Sequence, residues 1–205
     1  MDRETRRAQI LEAATAVFAE KGYHGARVDD IVARAQIAKG TFYLYFPDKR
    51  AIFGVLVDGF VERIHGVLEP VVLGDPSRPP VLQAQENVRR VVSLCLDDAP
   101  TAKILLSDAV GLDGAFDRRL LAFYDDLTAL VEDGLRLGVD AGFVRPGDTR
   151  VRAFCLLGMV KELMYQLVLR RLEVPREDLV ATVMSLVLDG LFTEEAQHLV
   201  SQRAR

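Results

Sequence analysis

Residues 39–49, KGTFYLYFPDK, constrain the fold of this chain more than any other segment. Their aromatic residues predict a helix of about two turns, which Pro47 ends because proline lacks the amide N–H that a helix needs. Asp48 is a favourable N-cap for the next helix. A short amphipathic segment, residues 28–35, lies just before them. Two short helices joined by a tight turn, with Lys, Thr and Tyr on the exposed side, are typical of a helix-turn-helix motif that enters the DNA major groove.

Apolar residues recur at helical spacing along the whole chain, and no long segment alternates with the period of a β-strand. The first helix is expected to end at Gly22, because glycine suits a left-handed cap. The proline-rich segment of residues 73–80 predicts a loop. After it, helices are predicted over about residues 81–96, 101–110, 114–141, 149–172 and 176–199. The sequence therefore predicts an all-α fold of about nine helices.

No segment resembles a membrane span. The longest apolar run, residues 154–169, is interrupted by Lys161 and Glu162, which favours a buried helix. Residues 1–7 are charged and lack the apolar stretch of a signal peptide. We therefore expect a cytoplasmic protein with no membrane partner.

The charge is unevenly distributed along the chain. The net charge is −4, which argues against a generally basic nucleic-acid binder. Residues 1–50 carry 9 Lys and Arg against 7 Asp and Glu, or +2, whereas the remaining residues carry 17 against 23, or −6. A mildly basic segment on an acidic body suits a local contact with DNA.

No pattern of residues indicates catalysis, a metal site or a cofactor. The three histidines are far apart in sequence and lack metal-binding spacing: His24, His65 and His198. Adjacent carboxylates such as Asp29 and Asp30 point to different sides of a helix, so they are interpreted as solvated. Cys95 and Cys155 lie in apolar helical contexts and are expected to be small core residues. An all-helical enzyme built from scattered residues remains an alternative.

The last two predicted helices, residues 149–172 and 176–199, are apolar on more than one face. A surface helix needs a single apolar stripe, so the surplus implies a second buried surface. These helices form either the centre of the monomer or an oligomer interface. A helix-turn-helix protein that binds a palindrome needs a twofold dimer, which favours a homodimer through these helices.

Three segments closely resemble the TetR family of bacterial transcriptional regulators: ILEAATAVFAEKGY, VDDIVARA and KGTFYLYFPDKRAIF. The resemblance covers about residues 6–53. It implies a helix-turn-helix domain, residues 1–50, and a larger helical ligand-binding and dimerisation domain, residues 51–205. It also implies a repressor that a small molecule releases from a palindromic operator, and the apolar residues of the later helices suggest that this molecule is hydrophobic. The chain departs from the family at Arg27, where Thr or Ser is frequent, and at residues 36–38, where Gly and Ser are frequent.

The resemblance also implies which residues contact DNA. Hydroxyl and basic side chains would bind phosphates or base edges, a bare glycine would allow close approach, and an exposed leucine could touch a thymine methyl group. Phe42 and Phe46 are expected in the core. The expected DNA contacts are Arg27, Lys39, Gly40, Thr41, Tyr43, Leu44, Tyr45 and Lys49.

Polar residues embedded in apolar helical runs are candidates for a ligand pocket. Glu162 stands out because it interrupts the longest apolar run, where burial would require a partner. The candidates are His65, Ser93, Asp97, Ser107, Asp108, Tyr124, Glu162, Tyr165 and Gln166. A dimeric protein that binds a hydrophobic ligand without binding DNA remains the main alternative.

Overall fold

The computed structural model describes residues 2–75, 77–107, 114–194 and 197. These residues form nine helices: α1 (Arg3–Gly25), α2 (Val28–Arg34), α3 (Lys39–Tyr43), α4 (Lys49–Val67), α5 (Pro80–Asp97), α6 (Ala99–Ser107), α7 (Gly114–Asp140), α8 (Thr149–Leu169) and α9 (Arg176–Leu191). In the same ranges the β-structure is an isolated bridge between Val144 and Phe192. The predicted all-α fold of about nine helices is confirmed.

The chain divides into two compact units, Met1–His65 with Cys95–Leu120, and Gly66–Leu94 with Leu121–Arg205. The division falls inside α5 and α7, so it does not coincide with the boundary predicted after residue 50. All but the last turn of α4 belongs to the first unit because its apolar face contributes to that unit's core. The functional boundary between DNA-binding and ligand-binding domains stays a prediction.

An aromatic cluster forms the centre of the first unit. Phe18 of α1 and Phe53 of α4 meet edge to face, with ring centroids 5.2 Å apart. Phe116 of α7 lies on the other side of Phe53 at 5.6 Å. At Gly22 the backbone leaves helical geometry with φ +69°, at the position where the sequence predicted the end of the first helix.

The connections around α3 follow from local sequence. Gln36 occupies the left-handed region, with φ +52°, where glycine is the favoured residue. Ala38 has no polar side chain and therefore supplies no side-chain cap to α3. Asp48 caps α4 by accepting a hydrogen bond from the N–H of Ala51 at 2.7 Å. The helix α3 ends at Tyr43, earlier than predicted, because the chain passes into a turn before Pro47.

A second apolar cluster forms the core of the second unit. It joins α5, α7, α8 and α9 through Val81, Leu135, Val144, Ala153, Val180, Met184 and Phe192. The helix α9 ends at Leu191, which corrects the predicted extension to residue 199. Phe192 adopts extended geometry and pairs with Val144, and the N–H of Arg145 donates to the carbonyl of Leu191 at 2.8 Å. Residues 195, 196, 198 and 199 of the predicted extension lie outside the described residues.

The two cysteines differ in environment. Cys95 is buried, as predicted, whereas Cys155 is exposed on α8. The core position predicted for Cys155 is therefore wrong, because it lies on the face of α8 that points away from the second core. In the described part of the chain no helix is both long and apolar enough to cross a membrane.

Candidate nucleic-acid interface

The short helix α3 divides its residues cleanly between core and solvent. Phe42 is fully buried and Phe46, just beyond the helix, is 3% exposed. On the other side, Tyr43 is 48% exposed and Leu44 is 76% exposed. The predicted orientation of all four side chains agrees with this arrangement. The exposed side chains of Tyr43 and Leu44 are therefore available to contact a partner surface.

Gly40 lies in the first turn of α3 and is exposed. A Cβ atom added there would meet no atom within 4 Å, and the backbone has no positive φ that would require glycine. Neither packing nor backbone geometry within this chain explains the glycine. Its position leaves the start of α3 bare for the close approach of a partner.

Lys39, at the first position of α3, pairs with Asp29 near the start of α2. The Nζ atom lies 2.6 Å from Oδ1 of Asp29, and both side chains are largely exposed. The hydrogen bond and charge of Asp29 raise the pKa of Lys39 above its ordinary value. The sequence interpretation treated Asp29 only as a solvated carboxylate, and it missed this partner because residues 29 and 39 belong to different helices.

Lys49 has a structural role that the sequence did not predict. Its Nζ atom donates hydrogen bonds to the carbonyls of Tyr23, at 2.7 Å, and Ala26, at 2.9 Å. It also lies 4.3 Å from the centre of the Tyr23 ring. Partial burial lowers the pKa of Lys49. The ammonium group thus joins the start of α4 to the last turn of α1 and to the residue that follows α1. The phosphate contact expected for Lys49 stays a prediction.

The other predicted DNA contacts lie at the edge of this surface. Arg27 is exposed and precedes α2, and its N–H donates to Oδ2 of Asp30 at 3.0 Å. The Oδ1 atom of Asp30 accepts a bond from Lys21 at 2.6 Å. Thr41 and Tyr45 are half-buried. The described residues of this motif therefore place Arg27, Lys39, Gly40, Tyr43 and Leu44 on the exposed side.

The candidates for a ligand pocket are divided between the two units. His65, Asp97 and Ser107 belong to the first unit, and Ser93, Tyr124, Glu162, Tyr165 and Gln166 belong to the second. Asp108 lies outside the described residues.

Two local contacts involve these candidates. The Nε2 atom of Gln166 donates to Glu162 at 2.5 Å, and Lys161 lies 5.2 Å from the Tyr124 ring. Glu162 is exposed in the single chain, so its charge is solvated rather than buried.

An open cleft of about 570 Å³ lies within the first unit, among α1, α4 and α6. Its walls include the ion pair of Arg63 with Asp98, and none of the predicted pocket residues lines it. Among the described residues no cluster of three His, Cys, Asp or Glu side chains could hold a metal ion.

Comparison with known proteins identifies the class of protein that contains this two-helix motif. The family of bacterial regulatory proteins of the tetR type matches residues 10–56. The HTH-type transcriptional regulator YdgC of Bacillus subtilis is 26% identical over 186 residues, which cover 90% of this chain and 92% of YdgC. The fatty acid metabolism regulator protein of Bacillus subtilis is 42% identical over 60 residues, 27% of this chain and 31% of that protein.

Among solved structures, a TetR-like transcriptional regulator from Rhodococcus sp. RHA1 is similar in fold. It has a TM-score of 0.75 and 25% sequence identity, with 93% of this chain and 99% of that chain covered. The exposed two-helix motif of the first unit lies within the segment that matches the tetR family, and it defines a helix-turn-helix DNA-binding protein. Residues 10–56 carry the DNA-binding domain of the TetR family of bacterial regulatory proteins, and the chain is a transcriptional regulator. The relatives it matches are regulators and not enzymes.

Proposed function

We propose that this regulator is a homodimeric repressor, released from a palindromic operator by a small hydrophobic molecule. The observation that carries the proposal is the exposed side of α3, where bare Gly40 opens the helix and exposed Tyr43 and Leu44 end it, while Phe42 is buried. In this proposal α3 enters the major groove. The proposed DNA contacts are Arg27, Lys39, Gly40, Thr41, Tyr43, Leu44, Tyr45 and Lys49.

An apolar stripe on α8 supports the homodimer. Val151, Phe154 and Tyr165 are 53%, 50% and 41% exposed, and Cys155 lies beside Phe154 on the same face. On α9, Leu186 is 61% exposed. Exposed apolar side chains gathered on one helix favour an association surface. Two copies joined through α8 and α9 would present their α3 helices to major grooves roughly 34–36 Å apart, or a multiple of that distance.

The proposed effector is an amphiphilic molecule with an acyl chain. The similarity to a regulator of fatty acid metabolism supports this class. Of the polar candidates named from the sequence, Ser93, Tyr124, Tyr165 and Gln166 of the second unit would donate hydrogen bonds to its head group. Since a ligand shifts an equilibrium only by its differential affinity, the effector must bind better to the form that does not fit the operator.

Fluorescence anisotropy with labelled DNA from the regions flanking the gene tests this proposal. We expect salt-sensitive binding to a palindromic fragment, weakened by long-chain fatty acids or their coenzyme A thioesters but not by short-chain acids. Tight acyl-ligand binding without DNA binding would favour the alternative of a ligand-binding dimer. Turnover of the ligand would favour an enzyme. Because the proposed partner is chromosomal DNA, we also propose a cytoplasmic location.

A further inference from the structure

We propose that Lys39 and Asp29 together read one G·C base pair in each operator half-site, with Asp29 as a specificity-determining residue. The inference rests on the proposed docking of α3 in the major groove and extends it to the base sequence. It assigns a role to a carboxylate that would otherwise only repel DNA.

The first step is geometric. Asp29 lies in the first turn of α2 and Lys39 in the first turn of α3, and the 2.6 Å contact between Oδ1 and Nζ joins the two helices of the motif. The Asp29 side chain is 67% exposed and the Lys39 side chain is 52% exposed. The pair is therefore a joint donor and acceptor on the surface, beside the bare backbone of Gly40.

Neighbouring ion pairs of the motif differ from this one. The Asp30 carboxylate uses Oδ1 for Lys21 and Oδ2 for the N–H of Arg27, so both of its oxygens hold the start of α2 in place. Arg34 pairs with Glu20 at 2.6 Å and connects α2 with α1. The Lys39–Asp29 pair instead includes a residue of α3, the helix that would lie in the groove.

The second step is chemical. A lysine ammonium group has three N–H donors, so Lys39 keeps two after bonding Asp29. A carboxylate likewise keeps lone pairs after accepting one bond. In the major groove a G·C pair presents two adjacent acceptors, N7 and O6 of guanine, followed by the N4 amino donor of cytosine. Lys39 can donate to the two acceptors while Asp29 accepts from the amino group.

An A·T pair fits this arrangement less well. Its edge presents an acceptor, a donor and an acceptor, followed by the thymine methyl group. The adenine amino group would face one donor of Lys39, and the thymine O4 atom would face the Asp29 carboxylate. Mismatched donors and acceptors left unpaired in an interface are costly, so the pair should discriminate between these base pairs.

Asp29 also limits binding to random DNA. Non-specific affinity comes mainly from cations that neutralise phosphates and release counterions. Lys39 and Asp29 together carry no net charge, so the pair adds little to the non-specific affinity for DNA. When Asp29 is replaced by asparagine, Lys39 becomes free to engage a phosphate on any sequence.

In vitro selection from random DNA, followed by affinity measurements, tests the inference on the full-length protein. For the wild type we expect a selected G·C pair at a fixed position in each half-site. Asp29→Asn should reduce the preference for that pair roughly tenfold. The same variant should bind random DNA more tightly, with the logarithmic salt slope steeper by about 0.9.

Glu20→Gln is the matched control, because it removes one negative charge from the neighbouring Arg34 pair without touching Lys39. It should leave the base preference unchanged. Asp29→Glu, which keeps a carboxylate, should retain part of the preference. The inference is overturned if the wild type selects an operator and Asp29→Asn selects the same bases with equal discrimination. If the wild type selects no sequence, the proposed function itself fails.

Discussion

At the scale of single residues, α3 and the residues just after it show how burial and exposure alternate between neighbouring positions. Phe42 and Phe46 fill the interior, whereas Tyr43 and Leu44 are left in solvent. Burial of the two phenylalanines stabilises the motif through the hydrophobic effect, so the helix is held from one side only. The exposed residues contribute little to that packing, which leaves them available to determine DNA binding.

Gly40 provides a test that separates stability from binding. Gly40→Ala should raise the free energy of unfolding by up to about 1 kcal/mol, because alanine is favoured over glycine in helices and the added Cβ meets no neighbour. The same methyl group should weaken operator binding by occupying the space that DNA approaches. Thermal unfolding and anisotropy titration measure the two effects.

Gly59→Ala in α4 is the control for Gly40→Ala. A Cβ atom there also meets nothing within 4 Å, so a similar gain in stability is expected. Operator affinity should not change. Wild-type affinity in Gly40→Ala would contradict close approach of DNA to this backbone.

At the scale of helices, ends are set by local caps in some places and by distant partners in others. Asp48 and Asp148 cap α4 and α8 through their own carboxylates, bonding the N–H groups of Ala51 and Val151. The end of α9 instead depends on a partner far away in sequence, since Phe192 pairs with Val144. The segment after α7 folds back on the end of that helix, where the N–H of Val144 donates to the carbonyl of Gly138 at 3.0 Å.

Gly138→Ala should therefore destabilise the fold. A Cβ atom at this position would lie 2.6 Å from Cγ2 and 3.3 Å from Cβ of Val144, so the chain after α7 would have to shift. Overpacking of this kind costs about 1–3 kcal/mol. The urea midpoint of unfolding measures the loss.

Gly134→Ala, one turn earlier in α7, is the matched control for Gly138→Ala. Its added Cβ would meet Val71 at 3.6 Å, an ordinary contact, so stability should be kept or improved. Equal stability of the two variants would show that the chain after α7 can yield without cost.

At the scale of the whole molecule, the two cysteines differ in solvent exposure, so their reactivity tests different parts of the structure. Burial raises the pKa of the Cys95 thiol to about 11, so it should stay protonated and unreactive in the folded protein near neutral pH. Cys155 lies on the exposed stripe of α8 that we propose as the dimer interface. Its reactivity therefore depends on whether a second copy covers that stripe.

For the proposed wild-type dimer we expect slow alkylation of both cysteines, measured by mass spectrometry. Phe154→Asp should place a charge in the interface, give monomers in sedimentation and make Cys155 react rapidly while Cys95 stays protected. Leu121→Asp changes an exposed residue of α7, 63% exposed, and should preserve the dimer. Rapid labelling of Cys155 in a wild-type protein that sediments as a dimer would exclude α8 from the interface.

Sequence alone was sufficient for features that depend on near neighbours along the chain. The helical periodicity, the proline after α3, the Asp48 cap and the inward direction of Phe42 all act within a few residues, so composition and spacing predict them. For the same reason the resemblance to the TetR family could be recognised in contiguous segments. The order of the helices and the exposed side of α3 followed from these local rules.

Only the tertiary structure established which side chains of different helices contact one another. It placed Asp29 beside Lys39, bonded Lys49 to the carbonyls of Tyr23 and Ala26, and exposed Cys155. Spacing within one helix does not encode these contacts, because each depends on how another helix packs across it. The sequence by itself determined the helices and the kind of regulator they build. The tertiary structure decided which charges and apolar faces remain available for DNA and for a second copy of the chain.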